Sequence, residues 1–241
     1  MHFRSEMTVG EIVASDFRTA AVFQEFGIDF CCGGRRPLGD ACGERDIDED
    51  VVLTALEQVC DGAGSSVQFD TWSPEQLIGH IVTNHHGYVR RALPSLIAFT
   101  RKIAEVHGKR HPELAEIARI TEDIADEMTA HMAKEERVLF PYITALSEAV
   151  RKDLPAPWAP FGTVDSPIRM MEEDHDATGA AVARIRELTN GYVVPDDGCT
   201  TYRVCFQELN AFERDLHEHV HLENNILFPA ARRLASAGAT A

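Results

Sequence analysis

The stretch His131-Met132-Ala133-Lys134-Glu135, followed by Arg137-Val138-Leu139-Phe140-Pro141, returns near the C-terminus as His219-Val220-His221-Leu222-Glu223, followed by Asn225-Ile226-Leu227-Phe228-Pro229. Both copies read H-x-x-x-E-x-x-x-L-F-P and lie 88 residues apart. On a helix, residues i and i+4 share a face one turn apart. Each copy therefore offers an imidazole nitrogen and a carboxylate oxygen on the same side. The neighbouring apolar residues say which side that is. Ile117, Thr121, Ile124, Met128, His131, Glu135 and Val138 step by fours and threes, as do Cys205, Leu209, Phe212, Leu216, His219, Glu223 and Ile226. Both pairs thus fall on the stripe that a helical bundle buries. A buried carboxylate needs a partner or loses its charge, and two such pairs facing each other call for a cation.

A second repeat completes the set. An offset of 89 aligns Val82 with Met171, His86 with His175, Val89 with Thr178, Leu93 with Val182 and Leu96 with Ile185. His86 precedes His131 by 45 residues and His175 precedes His219 by 44. The pattern is a doubled helical hairpin in which each hairpin supplies His, His and Glu. Four histidines and two glutamates suit iron, manganese or zinc. Two pseudo-symmetric hairpins suit two metals, with the glutamates bridging and positions left for an oxo bridge or a small ligand. Open nitrogen and oxygen sites on a redox metal favour iron, with manganese or a mixed pair as alternatives. A single H-x-x-x-E is most often a surface pair; two copies in register, joined to two registered histidines, are not. His85 lies one residue off the aligned position, and His221 points about 200° from His219 on an ideal helix. These, with His80 and His217, read as surface groups or as supports of the ligands. His107 and His111 flank a loop and read as solvated.

The 241 residues leave room for one large or two modest domains, and 44% hydrophobic content supports a real core. There is no run of eighteen apolar residues and no signal-like apolar segment, so a cytoplasmic protein without a membrane partner is expected. A formal charge of −16 argues against nucleic acid. Six cysteines in a chain of this length and setting are not a secreted disulfide framework.

Residues 1–66 read as a small helical domain and 67–241 as the bundle. Thr8 and Glu11 have capping-box spacing, Asp16 is placed to cap a second helix to about Phe26, and Gly27 follows as a stop. Asp46 to Cys60 reads as another helix carrying Val51, Leu53, Leu56 and Val59. Asp61 to Ser66 reads as a flexible linker. Four long helices follow. The first runs from Pro74 to about Val106, with a kink expected at Pro94. The second runs from near Pro112 to Phe140 or beyond, with Pro141 bending or ending it. After an irregular 151–166, the third is capped by Asp165-Ser166-Pro167 and ends near Asn190-Gly191. The fourth runs from about Thr200 to Leu234, with a bend possible at Pro229. No β alternation competes, so the fold is all-α, an up-down four-helix bundle. Cys31-Cys32, before Gly33-Gly34, leaves two readings open: an exposed redox-active or metal-contacting thiol pair, or two small buried residues at a turn. Cys42, Cys60, Cys199 and Cys205 read as structural.

These motifs resemble the iron–sulfur cluster repair di-iron proteins, the RIC or ScdA/YtfE family, over nearly the whole chain. Asp29-Phe30-Cys31-Cys32-Gly33-Gly34 is similar to that family's ScdA-type domain. His131 to Glu136, Glu173-Asp174-His175-Asp176 and His219 to Pro229 are similar to its hemerythrin-like domain. The resemblance implies a non-haem centre of two iron ions, oxo-bridged and held by His86, His131, Glu135, His175, His219 and Glu223. It implies repair of iron–sulfur clusters damaged by nitrosative or oxidative stress, with damaged iron–sulfur proteins as clients and Cys31 and Cys32 as a dithiol for iron transfer or client contact. Nitric oxide or dioxygen would be its small ligands. A dioxygen or nitric oxide binding or sensing protein, and an enzyme reducing nitric oxide or scavenging peroxide, stand as alternatives. A homodimer through the small domain is left open. Where some relatives carry a further histidine, this chain has Arg90, and its 151–166 loop is longer than in some of them.

Overall fold

The computed structural model describes residues 3–61 and 67–238. Among them there is no strand, only an isolated bridge between Thr8 and Pro37. The elements are α1 (Val9–Ser15), α2 (Thr19–Glu25), α3 (Leu38–Gly43), α4 (Glu49–Asp61), a 3-10 turn (Phe69–Thr71), α5 (Pro74–His80), π1 (Ile81–His86), α6 (Gly87–His107), α7 (Glu113–Lys134), π2 (Glu135–Leu139), α8 (Phe140–Arg151), α9 (Asp165–Leu188), α10 (Thr200–His221), π3 (Leu222–Leu227) and α11 (Phe228–Gly238). No described helix is long and apolar enough to cross a membrane. The chain forms two compact units, one of Met1–Ile78, Ile143–Trp158 and Glu218–Ala241, the other of Gly79–Tyr142 and Ala159–His217.

The second unit carries the bundle. Cross-helix pairs fix its directions. Arg101 reaches Glu122, and Arg90 reaches Glu136, so α6 and the α7–π2 helix are antiparallel. Arg184 with Glu116, and Lys134 with Asp174, make α9 antiparallel to α7. His107 against Tyr202, and His85 with Asp215, run α10 antiparallel to the π1–α6 helix. The result is the expected up-down arrangement. Its core takes in the predicted stripes at Leu93, Leu96, Ile117, Ile124, Met128, Val182, Ile185, Leu209 and Phe212, and adds Ile103, Leu114, Ile168 and Phe206.

In the first unit the Thr8–Glu11 capping box forms in both directions. Ser73 and Gln76 make the same reciprocal pair at the start of α5. Gly27 takes φ +66, the left-handed angle a helix stop needs. Val9, Ile12, Val13, Phe23, Leu38 and Leu56 form a small core, and α1 packs on π3.

Several local expectations are corrected. Asp16 does not cap α2, which starts after Arg18; its carboxylate instead takes the backbone N–H and the guanidinium of Arg18. The 46–60 helix begins at Glu49, because Asp46 is a turn residue at φ +56, and its buried residues are Val52 and Leu56. Asp165 lies inside the first turn of α9 rather than capping it. Of the expected linker, residues 62–66 lie outside the described residues. Pro141 does not end its helix, which continues as α8, and the fourth helix continues past Pro229, as read, but ends at Gly238 rather than Leu234. The departure from α geometry in the first long helix is π1, upstream of Pro94, which lies inside α6.

The π turns explain why both helices continue through their prolines. The Phe140 N–H bonds the carbonyl of Glu135, five residues back, and the Phe228 N–H bonds that of Glu223. The next residue in each case is proline, which has no N–H to give. The ladder can therefore return to α register at the proline without losing a bond. The extra residue also advances the buried face by one. Val138, expected in the stripe, is 46% exposed, while Leu139 is 1% exposed.

Candidate metal centre

In the second unit, π1, α7, π2 and α9 bring four of the six expected ligands together. Glu135 is fully buried and stands between two histidines: His86 Nε2 lies 3.3 Å from its Oε2, and His131 Nε2 lies 3.3 Å from its Oε1. His175 Nε2 lies 3.0 Å from His131 Nε2. His131, Glu135 and His175 offer ligand atoms within 4.8 Å of one another, and so do His86 and Glu135.

The far nitrogens of two rings settle which atoms face inward. His86 Nδ1 lies 2.6 Å from Glu136 Oε1, and His131 Nδ1 lies 3.2 Å from Asp174 Oδ2. Partial burial would raise the pKa of both carboxylates, but it is outweighed. Hydrogen bonds from His86 and Arg90 hold Glu136 below the usual carboxylate range, and those from Lys134 and His131 do the same for Asp174. An ionised carboxylate only accepts, so each Nδ1 carries a proton. In the neutral ring the Nε2 lone pair then points at Glu135, lone pair against carboxylate at 3.3 Å. A proton on Nε2 would answer one such contact; a cation answers several at once. The carboxylate–histidine arrangement is the one that orients and strengthens imidazole ligands, and a set of imidazoles with one carboxylate suits iron, manganese or zinc. The residues present fit a metal.

In the first unit, His219 and Glu223 are both fully buried, with Nε2 3.2 Å from Oε1. His219 lies in the last turn of α10 and Glu223 in the first turn of π3, as His131 and Glu135 do in α7 and π2. The repeat read from the sequence therefore extends to the π turn, which the spacing alone did not disclose. The signal for it was present: an L-F-P inside an otherwise helical pattern, four residues after each glutamate. π turns of this kind occur preferentially at functional sites. The supporting carboxylates were missed as well, although Glu136 and Asp174 sit beside expected ligands. Arg90 extends that support, with its guanidinium 2.6 Å from Glu136 Oε1.

Of the histidines read as surface groups or supports of the ligands, His85 and His221 are not at the surface, and His107 and His111, read as solvated, have partners. His85 is buried, and its Nδ1 lies 3.0 Å from Asp215 Oδ1. His221 is fully buried between Phe17 and Phe30, and burial lowers its pKa to about 4, so the ring is neutral. His80 is half-buried, with Nδ1 2.8 Å from Asn84 Nδ2. His107 lies 3.2 Å from Cys199 Sγ, and His111 pairs with Asp197. All six cysteines are free thiols. The thiol pair is not the exposed pair of the first reading: Cys31 is buried and Cys32 half-buried. A hydrogen bond with Cys32, burial and nearby Asp29 push the Cys31 thiol well above its usual range. Cys199 is exposed rather than structural. Its bond to His107, with the N–H groups of Tyr202 and Thr201, lowers its pKa to about 7.

Comparison with known proteins bears on both parts of the chain. Residues 5–60 match ScdA_N, a domain of unknown function, and residues 77–231 match the hemerythrin HHE cation-binding domain. The iron-sulfur cluster repair protein YtfE of Dickeya chrysanthemi is 36% identical, over 97% of this chain and 99% of its own. YtfE of Pectobacterium atrosepticum is 34% identical over 95% of this chain and 97% of its own. ScdA of Staphylococcus haemolyticus is 31% identical over 93% of this chain and 97% of its own.

Proposed function

We propose a function from one premise already in hand: this chain belongs to the iron-sulfur cluster repair family that includes YtfE and ScdA. It repairs iron–sulfur clusters damaged by nitrosative or oxidative stress, in the cytoplasm, with the damaged iron–sulfur proteins as clients. His86, His131, Glu135, His175, His219 and Glu223 hold two iron ions, and Cys31 and Cys32 serve iron transfer or client contact. The observation that carries this reading is the meeting of His86 and His131, each with its proton held on Nδ1, at the buried carboxylate of Glu135. The registered repeat assigns His219 and Glu223 the matching roles. A cation-binding domain match over 77–231 takes in all six residues.

When bound, the iron supplies redox chemistry toward nitric oxide or dioxygen and a stock of metal for the client. The chain's own residues do the rest. Glu136 and Asp174 keep two imidazoles in the ligating tautomer, and buried Phe140, stacked on His86, keeps bulk water from that ring. Free thiols throughout suit a reducing compartment.

The test is metal analysis of the purified protein, with recovery of a cluster enzyme after nitric oxide exposure. The native chain is expected to hold two irons and to restore the enzyme. Glu135→Ala should retain less than half the iron and lose repair. Native protein without iron, or full repair by Glu135→Ala, would overturn the proposal.

A further inference from the structure

The peptide that joins Cys31 to Cys32 is held from two sides. Asp29 Oδ1 accepts the N–H groups of Cys31 and Cys32 at 2.9 and 3.0 Å, and the Cys31 thiol at 3.2 Å. Asp29 Oδ2 accepts the Gly33 N–H at 2.9 Å. From the other side, Asn225 Nδ2 donates to the carbonyls of Phe30 and Cys31 at 3.0 and 3.2 Å. The peptide is therefore fixed at its nitrogen by Asp29 and at its oxygen by Asn225.

Asn225 lies in π3, two residues after Glu223. Its seat is narrow. A Cβ on Gly10 would come within 2.6 Å of its Oδ1, and a Cβ on Gly34 within 2.5 Å. Those two glycines are themselves joined, the Gly10 N–H donating to the Gly34 carbonyl at 2.7 Å. Asn225 Nδ2 also lies 3.1 Å from His221 Nδ1, one turn back on the same helix. The amide thus faces two carbonyls and a ring nitrogen, in a slot that Gly10 and Gly34 leave open by having no Cβ. An apolar residue would suffice to pack α1 on π3; it would not reach the cysteine turn with a donor.

We propose that Asn225 is a positioning residue that relays metal occupancy at Glu223 to the Cys31–Cys32 turn and so sets the reactivity of Cys32. The proposal rests on the metal-binding reading of Glu223. A π turn has one residue more than the α register needs. Changing what the Glu223 carboxylate binds biases that wide turn, and Asn225 turns with it. With metal at Glu223 the amide stays in its slot and the cysteine peptide is closed. Without it, the Cys31 carbonyl loses its donor, and the half-buried Cys32 thiol becomes more accessible. Linkage runs both ways, so modification of Cys32 loosens metal as well.

The experiment measures alkylation of Cys32 by iodoacetamide, localised by mass spectrometry, in the full chain loaded with ferrous iron and after chelator stripping. The exposed Cys199 serves as internal reference. In the native chain, stripping should raise the Cys32 rate about fivefold or more, within the usual range of such couplings. In Asn225→Asp, which keeps the shape but removes the donor, the loaded and stripped rates should converge at the fast value. A native chain that binds iron but shows equal rates overturns the relay, as does Asn225→Asp with the native ratio intact. A native chain that binds no iron overturns the metal reading and the relay with it. If circular dichroism shows Asn225→Asp unfolded, Gly10→Ala, whose Cβ displaces the Asn225 amide, carries the same expectation and the same refutation.

Discussion

Glu136 touches no metal in the proposed centre, yet its removal should weaken metal binding by a predictable amount. Its Oε1 takes the His86 Nδ1 proton at 2.6 Å, and Arg90 helps hold the carboxylate ionised. Loss of such a supporting partner typically costs about 10–100-fold in metal affinity, which is about 1.4–2.7 kcal/mol. The lower half of that range applies to Glu136→Ala, because the carboxylate is 28% exposed and water can replace part of its work. Glu136→Gln separates charge from geometry. Its amide oxygen still accepts the Nδ1 proton, so the ligating tautomer survives, but the bond is no longer charge-assisted. Neutral hydrogen bonds have roughly half the strength of charge-assisted ones. Half the free energy is the square root of the fold-change, so glutamine should cost about 3–5-fold where alanine costs about 10–30-fold. Competition against a chromogenic chelator at fixed pH measures both, with circular dichroism confirming intact helices. The ordering carries the test. Native affinity in Glu136→Ala would refute the assignment of the His86 proton to Nδ1. Equal losses for the two variants would show that the charge, not the tautomer, is what Glu136 supplies.

Two further outcomes follow from the structure. Cys199 should alkylate with a pH midpoint of about 7 rather than the ordinary 9.0, because hydrogen bonding favours its thiolate; a depressed pKa puts the reactive form above the midpoint, so reactivity falls only as pH drops through about 7, and His107→Ala should move the midpoint upward. An unchanged midpoint in that variant would reject the pairing. Phe23 is fully buried in the small core of the first unit, so Phe23→Ala should cost about 3–5 kcal/mol, read as an earlier first transition in urea; a shift worth less than about 1 kcal/mol would mean that this core contributes little.

The fold was legible because it rests on local periodicity. The stripes through Ile117 to Glu135 and through Cys205 to Glu223 alternate at helical spacing whatever else the chain does, and the repeat tied them into hairpins. His86 and His175 were found by registration alone. What stayed hidden depends on residues far apart in the chain. His85 is buried against Asp215, 130 residues on, and His221 against Phe17 and Phe30 from the N-terminal domain. Cys199 and His107 are 92 residues apart. No window of sequence contains both members of such a pair, so each was assigned by its own type: the surface alternative for His85 and His221 fails, as does the solvated reading of His107 and the structural reading of Cys199.

The π turns failed to appear for a different reason, and it bears on function. Helical periodicity is a phase, and a one-residue insertion shifts that phase without breaking the pattern, so Val138 and Leu139 look interchangeable until the i−5 bond from Phe140 to Glu135 is seen. The proline that seemed to forbid a continuing helix is what lets the phase return. The carbonyl of Glu135 and that of Glu223 each accept that i−5 bond while the carboxylate lies buried beside a histidine. Backbone and side chain of one residue are thereby tied to the same turn. A change at the carboxylate strains the widest, least regular turn of its helix first. In π3 that turn carries Asn225 as well as Glu223, whereas π2 offers Arg137 at the equivalent position, which makes no comparable contact with a thiol turn among the described residues. The two halves of the repeat have therefore diverged in what lies two residues beyond the glutamate, and among the described residues it is the second half whose residue there donates to the cysteine turn, as the proposed relay requires.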